Sequence, residues 1–304
     1  MGCVVEPVAP EDWPCGSLTT IVDVDLRSGA AYDGAVRLWF ELVTQRLFGD
    51  LLHRHRVGDE RVTATLYAVW RWGVDEDREV FGERSLDRLL DKIDERGRRP
   101  ELILLAAEEE SDNGFRVPGP TGACFSASLE VRCEDELPGW VLFSASGIYW
   151  SPDLSAPPAV QSEWCTAVER FDSEIPTVFA NVTDDNATGR TALDDALNRS
   201  EDESVSRSRS VLRGYSWVTV CAQELVDRLG GVGALEESGA FWKVRVFDSG
   251  AVWLQATERL DDFNSTAIER VFTVLAPVLP PGTVEPIWGN DYPRLVHADA
   301  SRSR

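Results

Sequence analysis

Apolar residues recur along this chain with either a two-residue or a helical period, in stretches separated by polar turns. Val62–Trp72 alternates most cleanly. Val62, Ala64, Leu66, Ala68 and Trp70 fall on one side and Thr63, Thr65, Tyr67 and Val69 on the other, which predicts a strand. Thr19–Leu26 alternates around Ile21–Val22–Asp23–Val24 and predicts another. Between them, Val36, Phe40, Val43, Leu47 and Leu51 repeat at helical spacing, the apolar stripe of one helix from about Asp33 to Leu52. A short helix follows, with Ser85 as its N-cap and Leu86, Leu89, Leu90 and Ile93 turned inward. Leu102–Ala107 is a continuous apolar run of strand length. Ala123–Arg132 and Trp140–Tyr149 fit two more strands, joined through Asp135–Gly139. Pro157–Pro158 then opens a helix whose apolar face is Val160, Trp164, Val168 and Phe171.

The pattern changes at Thr183. From there to Ser210 the chain is rich in turn formers and then in Ser, Arg, Glu and Asp, with two helical turns at most over Thr191–Asn198. Such a stretch offers little apolar area against its ordering entropy, so it reads as a polar linker or surface excursion. The remainder is regular again. Tyr215–Cys221 predicts a strand, Ala222–Leu229 a helix, and Gly230–Gly231 its stop. Phe241–Phe247 and Ala251–Thr257 predict a hairpin around Asp248–Ser249–Gly250. Thr266 and Glu269 form a capping box for a last helix with Ile268, Phe272, Leu275 and Leu279 inward. The expected fold is α+β: antiparallel sheets with helices packed on one face. The expected organisation is an acidic α+β lobe over 1–182, the linker over 183–210, and a β-α-β-β-α lobe over 211–297. Both lobes begin strand–helix, which would suit two related lobes, but no residue-level repeat supports a duplication.

Composition narrows the function more than it defines it. The 304 residues carry 52 acids against 30 bases, a net charge of −22. Residues 1–210 hold −19 of it. That charge disfavours nucleic acid and anionic lipid as partners. No apolar run is long enough to span a bilayer, and the first residues lack the basic and apolar regions of a secretory signal, so a cytoplasmic location is expected. The six cysteines form no CxxC pair and read as reduced thiols.

Candidate chemistry is sparse. His53 and His55, two apart on a helix end, face different sides and would need Asp50 or Asp59 to fold back to hold a metal. No GxSxG elbow accompanies the three histidines. Gly230-Gly231-Val232-Gly233 follows an apolar helix and lacks a phosphate-loop lysine, since only Lys92 and Lys243 exist. No catalytic residue, cofactor or metal site is therefore assigned. Three acid clusters stand at strand ends or turns: Asp75-Glu76-Asp77, Glu108-Glu109-Glu110 and Glu134-Asp135-Glu136. They are candidates for steering a basic protein partner. Of eleven tryptophans, Trp39, Trp70, Trp164 and Trp217 fall at expected core positions, while Trp72, Trp150, Trp242 and Trp288 lie near element ends. Trp72 and Trp150 are the candidate interface anchors.

One stretch resembles a known family. Arg213-Gly214-Tyr215-Ser216-Trp217-Val218-Thr219-Val220, then Glu224 to Gly231 (ELVDRLGG), is similar to a strand-and-helix pattern of bacterial type VI immunity family proteins. Gly250–Ala256, the Val274–Pro281 segment and Tyr292–Ala298 fit the same pattern. The resemblance covers about ninety residues and rests on structural motifs. It implies a non-catalytic antitoxin that neutralises a toxin by covering its surface, and it brings no catalytic residues. The competing reading is a hydrolase or transferase with a weakly marked carboxylate site. An enzyme needs convergent polar groups in a concave pocket, an inhibitor a broad exposed patch.

Overall fold

The computed structural model describes residues 15–110, 119–133, 135, 137–185, 189–286 and 292–303. Ten strands form one antiparallel sheet in the order β3-β2-β4-β5-β6-β1-β7-β8-β10-β9. In chain order these are β1 (Cys15–Asp25), β2 (Val62–Arg71), β3 (Asp75–Val80), β4 (Leu102–Glu109), β5 (Cys124–Arg132), β6 (Trp140–Trp150), β7 (Phe179–Thr183), β8 (Val218–Cys221), β9 (Lys243–Val246) and β10 (Val252–Gln255). The helices are α1 (Tyr32–Leu42), α2 (Gly49–Arg56), α3 (Ser85–Arg96), α4 (Pro158–Glu174), α5 (Ala192–Ala196), α6 (Glu201–Ser206), α7 (Gln223–Arg228), α8 (Gly231–Glu237) and α9 (Ser265–Leu275). The fold is α+β, as expected.

The chain divides into two compact units, and neither is continuous. Unit 1 holds residues 1–18, 36–132 and 145–167; unit 2 holds 19–35, 133–144 and 168–304. The sequence divides at 183–210 instead, because a reading along the chain cannot show that β1, β6 and α4 each contribute to both units.

In unit 1 the alternation of β2 translates directly into burial. Val62, Ala64, Leu66, Ala68 and Trp70 are buried, as are Ile103, Leu105 and Ala107 of β4 and Phe125, Ala127, Leu129 and Val131 of β5. Helix α2 packs on β2, β4 and β5. The stripe Val36, Phe40, Val43, Leu47 and Leu51 is buried throughout. Yet it does not lie on one helix. Val43–Leu47 forms a π turn, closed by the Phe48 N–H donating to the Val43 carbonyl five residues back at 3.0 Å. The apolar spacing survives this one-residue widening, which is why the sequence does not betray it. Ser85 is the first residue inside α3 rather than its cap, and its Oγ accepts from Gly82 N at 2.9 Å. His55 brackets the hairpin, its ring nitrogens 3.1 Å from the carbonyls of Val62 and Phe81.

In unit 2, β7, β8 and β10 are buried along their whole length. Val218, Leu225, Val252, Leu254, Ile268, Phe272 and Leu275 are buried in this unit, and Leu229 is half-buried. Three expectations change. The described part of the linker is folded: α5 and α6 are capped by Thr191 and Ser200. Val205 joins Leu137, Trp140, Leu142, Val178 and Ala222 in a core cluster. This segment is ordered by buried polar pairing as well as by the apolar side chains of Leu193, Ala196 and Val205. Asp194 and Arg213 have no exposed side-chain surface, and Arg213 bridges Asp194 (3.1 Å) to Asp23 (2.7 Å). Asn264, not Thr266, caps α9, accepting from the N–H groups of Thr266 and Ala267. Gly230 takes the left-handed conformation at φ +94°, but α8 begins at once behind it, so the glycines join two short helices instead of ending one.

Candidate interaction surface

The other face of unit 1's sheet carries no comparable burial. Thr63, Thr65 and Tyr67 of β2, Leu104, Ala106 and Glu108 of β4, and Ser126, Ser128, Glu130 and Arg132 of β5 are half-buried or exposed. Registers place them in rows. Val80, Thr65, Ala106 and Ser128 form one row; Arg78, Tyr67, Leu104 and Glu130 form the next. The Arg78 guanidinium lies 5.2 Å from the Tyr67 ring. This face follows from the alternation itself, since small hydroxyl and alanine side chains at every second position suit a wet surface. At its edge the β2–β3 hairpin exposes three apolar side chains, Trp72 at 63% and Val74 and Val80 at 71%. Gly73 holds φ +67° in the turn, a conformation that favours glycine.

The acid clusters, candidates for steering a basic partner, do not stand together. Along β3, side chains alternate between half-buried and exposed. Asp75, Asp77 and Glu79 face α3, where Arg88, Lys92 and Arg96 recur every fourth residue. Two residues on a strand advance ~6.7 Å and four on a helix ~6 Å, so the two rows match. Asp75 pairs with Arg96 at 2.7 Å and Arg98 at 2.9 Å, Asp77 with Lys92 at 3.4 Å, and Glu79 with Arg88 at 2.8 Å. Burial alone would raise the pKa of Asp77, but the Trp70 Nε1 hydrogen bond, Lys92 and Arg96 outweigh it and hold the carboxyl below its ordinary value. Glu76 is exposed and accepts from Gly73 N. The second cluster sits at the far end of the sheet. Glu108 pairs across from Thr63, six residues along β4 from the level of Glu76, or ~20 Å. Glu109 accepts from Arg54 at 2.9 Å, and Glu110 is exposed. Asp135 is exposed in unit 2, while Glu134 and Glu136 lie outside the described residues, as does Trp288. The structure therefore separates Asp75–Asp77 from Glu108–Glu110 and gives Asp75, Asp77 and Glu109 arginine or lysine partners within the chain.

The two tryptophan anchors also part company. Trp72 is exposed, whereas Trp150 is 2% exposed with its ring centroid 4.5 Å from that of Phe125. Gly119 leaves room for it: a Cβ there would come within 2.8 Å of the indole. Trp150 belongs to the core, and its position at the end of β6 gave no sign of that. Trp242 is exposed at the start of β9 in unit 2.

Unit 1 also holds a concave cleft of about 220 Å3, lined by the π turn, the start of α2, Gly122, Cys124, Tyr149 and the first turns of α4. Its floor is closed. Trp164 Nε1 donates to the Tyr149 hydroxyl at 2.8 Å, and Cys124 Sγ donates to the Ser126 carbonyl at 3.4 Å. Burial pushes the Cys124 thiol up to about 12 and the Tyr149 phenol well above its ordinary value. A thiol so raised is not a ready nucleophile. Asp50 and the Arg46–Glu163 pair, 3.0 Å apart, stand among the lining. Sequence reasoning mentioned Asp50 only in connection with a metal site that it did not assign, and missed the cleft because its residues come from four separate segments. No group of three or more His, Cys, Asp or Glu suited to a metal occurs among the described residues. No helix there is long and apolar enough to cross a membrane.

No family model and no curated protein matches this sequence. Among solved structures, the Pseudomonas aeruginosa T6SS protein PA0821 is similar to 98% of this chain over 86% of its own, with a TM-score of 0.52 and 10% sequence identity. At that identity the likeness is one of fold: this chain shares the architecture of a type VI secretion system protein.

Proposed function

We propose that this chain is a non-catalytic protein-binding module of the immunity type, which neutralises a toxin by covering part of its surface. The observation that carries this reading is the open face of unit 1's sheet together with the exposed hairpin edge of Trp72, Val74 and Val80. It is an extended surface of small, apolar and charged groups, suited to a macromolecule. The likeness to a T6SS protein over nearly the whole chain supports the same direction. The separation and internal pairing of the acid clusters shift the emphasis from long-range steering to contact along the sheet.

The enzyme reading draws on the cleft, which has a concave shape and two carboxylates. Its neutral floor weakens that reading. The experiment is co-expression with the protein encoded beside it in its genome, followed by hydrogen exchange on the complex. The expected result is a stoichiometric complex with protection gained on β2, β3, β4 and β5. A complex that leaves those strands unprotected, or no complex at all, overturns the proposal.

A further inference from the structure

We infer that the unit 1 cleft is a seat for one arginine or lysine side chain of the protein partner. The inference rests on the protein-binding reading for the source of that side chain and names a contact separate from the open sheet face. At about 220 Å3 the cleft falls below the ~300–1,000 Å3 of sites for drug-sized ligands, so it suits a single side chain better than a cofactor. Its walls are apolar where a methylene stem would lie: Leu47, Ala159 and Val160. Its floor is neutral and already hydrogen-bonded within itself, as the Trp164–Tyr149 and Cys124–Ser126 contacts show.

The charge in the lining is asymmetric. Two carboxylates, Asp50 and Glu163, stand against one guanidinium, Arg46. Arg46 already lies on Glu163 at 3.0 Å, so the chain itself shows a guanidinium held by one of the two acids. Asp50 is exposed and takes part in no ion pair among the described residues. A cationic head with an apolar stem completes this arrangement, its stem covering the wall and its charge meeting Asp50. The π turn is what brings Gln45, Arg46 and Leu47 to the lining together, by adding one residue to the turn between α1 and α2.

The probe is N-acetyl-arginine methylamide, titrated into the full-length protein and followed by backbone amide NMR. N-acetyl-glutamate methylamide is the control. The expected result is saturable shifts at Gly49, Gly122 and Ala159 with the arginine probe and none with the control. Asp50→Asn and Glu163→Gln should together weaken probe binding at least tenfold with an unchanged far-UV spectrum. Asp50 also sits in the first turn of α2, where a carboxylate favours the helix. If that is its only role, Asp50→Asn lowers the melting temperature and leaves probe binding as it was, which overturns the inference. Absence of cleft shifts, or equal shifts with the glutamate control, does so as well. Cleft binding by the probe while the partner complex leaves unit 1 unprotected would instead overturn the proposed function. Protection of the sheet face in the complex with no probe binding removes the cleft and keeps the function.

Discussion

The strands of the two units are made of the same kinds of residue but meet different surroundings. In β2, β4 and β5, buried positions alternate with half-exposed ones. In β7, β8 and β10, every position is buried. The polar residues of unit 1's strands are therefore wetted, while those of unit 2 must find partners inside. They do: the Ile21 N–H donates to Asn181 Oδ1 at 3.0 Å, Thr20 Oγ1 donates to the Asn181 carbonyl, and the Ser216 N–H donates to Thr219 Oγ1 at 3.0 Å. Arg213 ties β1 to the segment before β8 through Asp23 and Asp194. One half of the sheet keeps a wetted face, while β7, β8 and β10 of the other are buried at every position.

The largest effect is expected at Arg213. Replacing it with Met leaves Asp23 buried without a counter-charge and Asp194 with Arg199 alone, and breaking a buried pair in this way costs ~3–5 kcal/mol. Urea unfolding of Arg213→Met should show that loss. A change under ~1 kcal/mol would mean that unit 2 does not depend on its buried charges, and the contrast between the units would fall.

The contrast also explains what could be read from the sequence. Alternation in β2 and β5 was plain because water supplies the polar half of the pattern. β7 was not, since Phe-Ala-Asn-Val-Thr is short, has no wet face and hides a polar residue at its centre. The segment with α5 and α6 looked like a linker because much of its burial is polar: Asp194, Ser204 and Ser208 are shielded from solvent beside Leu193 and Val205. β3 was unreadable for the opposite reason. Five charges in six residues resemble a turn until α3 supplies the matching bases. The same logic governs the candidate site: Trp72 and Trp150 both end strands, and only tertiary packing separates them.

Next in size is a paired comparison of polar strand residues. Asn181→Ala in unit 2 removes the acceptor of a buried N–H and should cost ~1–3 kcal/mol. Thr65→Lys on the open face of unit 1 should stay within ~0.5 kcal/mol. Equal destabilisation by the two, measured by denaturant midpoint, would show that the open face is covered in the free protein.

The units should also respond differently to acid. Burial raises the pKa of Asp23 to about 6 against the opposing effect of Arg213, and burial raises that of Asp172 against its hydrogen bonds from Thr177 and Ser249. Both take up a proton more readily folded than unfolded. The stability that Asp23 withholds at neutral pH thus returns as pH falls through about 6 and is complete below the ordinary 3.8, and Asp172 acts in the same direction. In unit 1, burial pulls Asp77 and Glu79 upward, but their hydrogen bonds and basic neighbours hold both pKa values below the ordinary range. Their contribution is present above the ordinary value and disappears only as pH drops through the lowered one. Between pH 7 and pH 5, hydrogen exchange corrected for intrinsic rates should therefore show slower opening in unit 2 and little change in unit 1. A parallel loss in both would break the comparison.

The smallest effect concerns the ladder between β3 and α3. Its pairs are half-exposed, with side chains of Arg96 and Asp75 at 33% and 35%. Exposed ion pairs contribute ~0.2–1 kcal/mol each and are screened by salt. Arg96 differs from Arg88 in also lying over the Trp70 ring at 4.2 Å, a contact that salt screens less because the ring carries no net charge. Arg88→Ala should thus cost a few tenths of a kcal/mol, and that cost should vanish in 1 M salt. Arg96→Ala should cost ~1 kcal/mol, with a part that persists in 1 M salt. If the two substitutions cost the same and both costs vanish with salt, the ladder holds β3 by charge alone and Trp70 plays no part in fixing the hairpin edge that Trp72 presents.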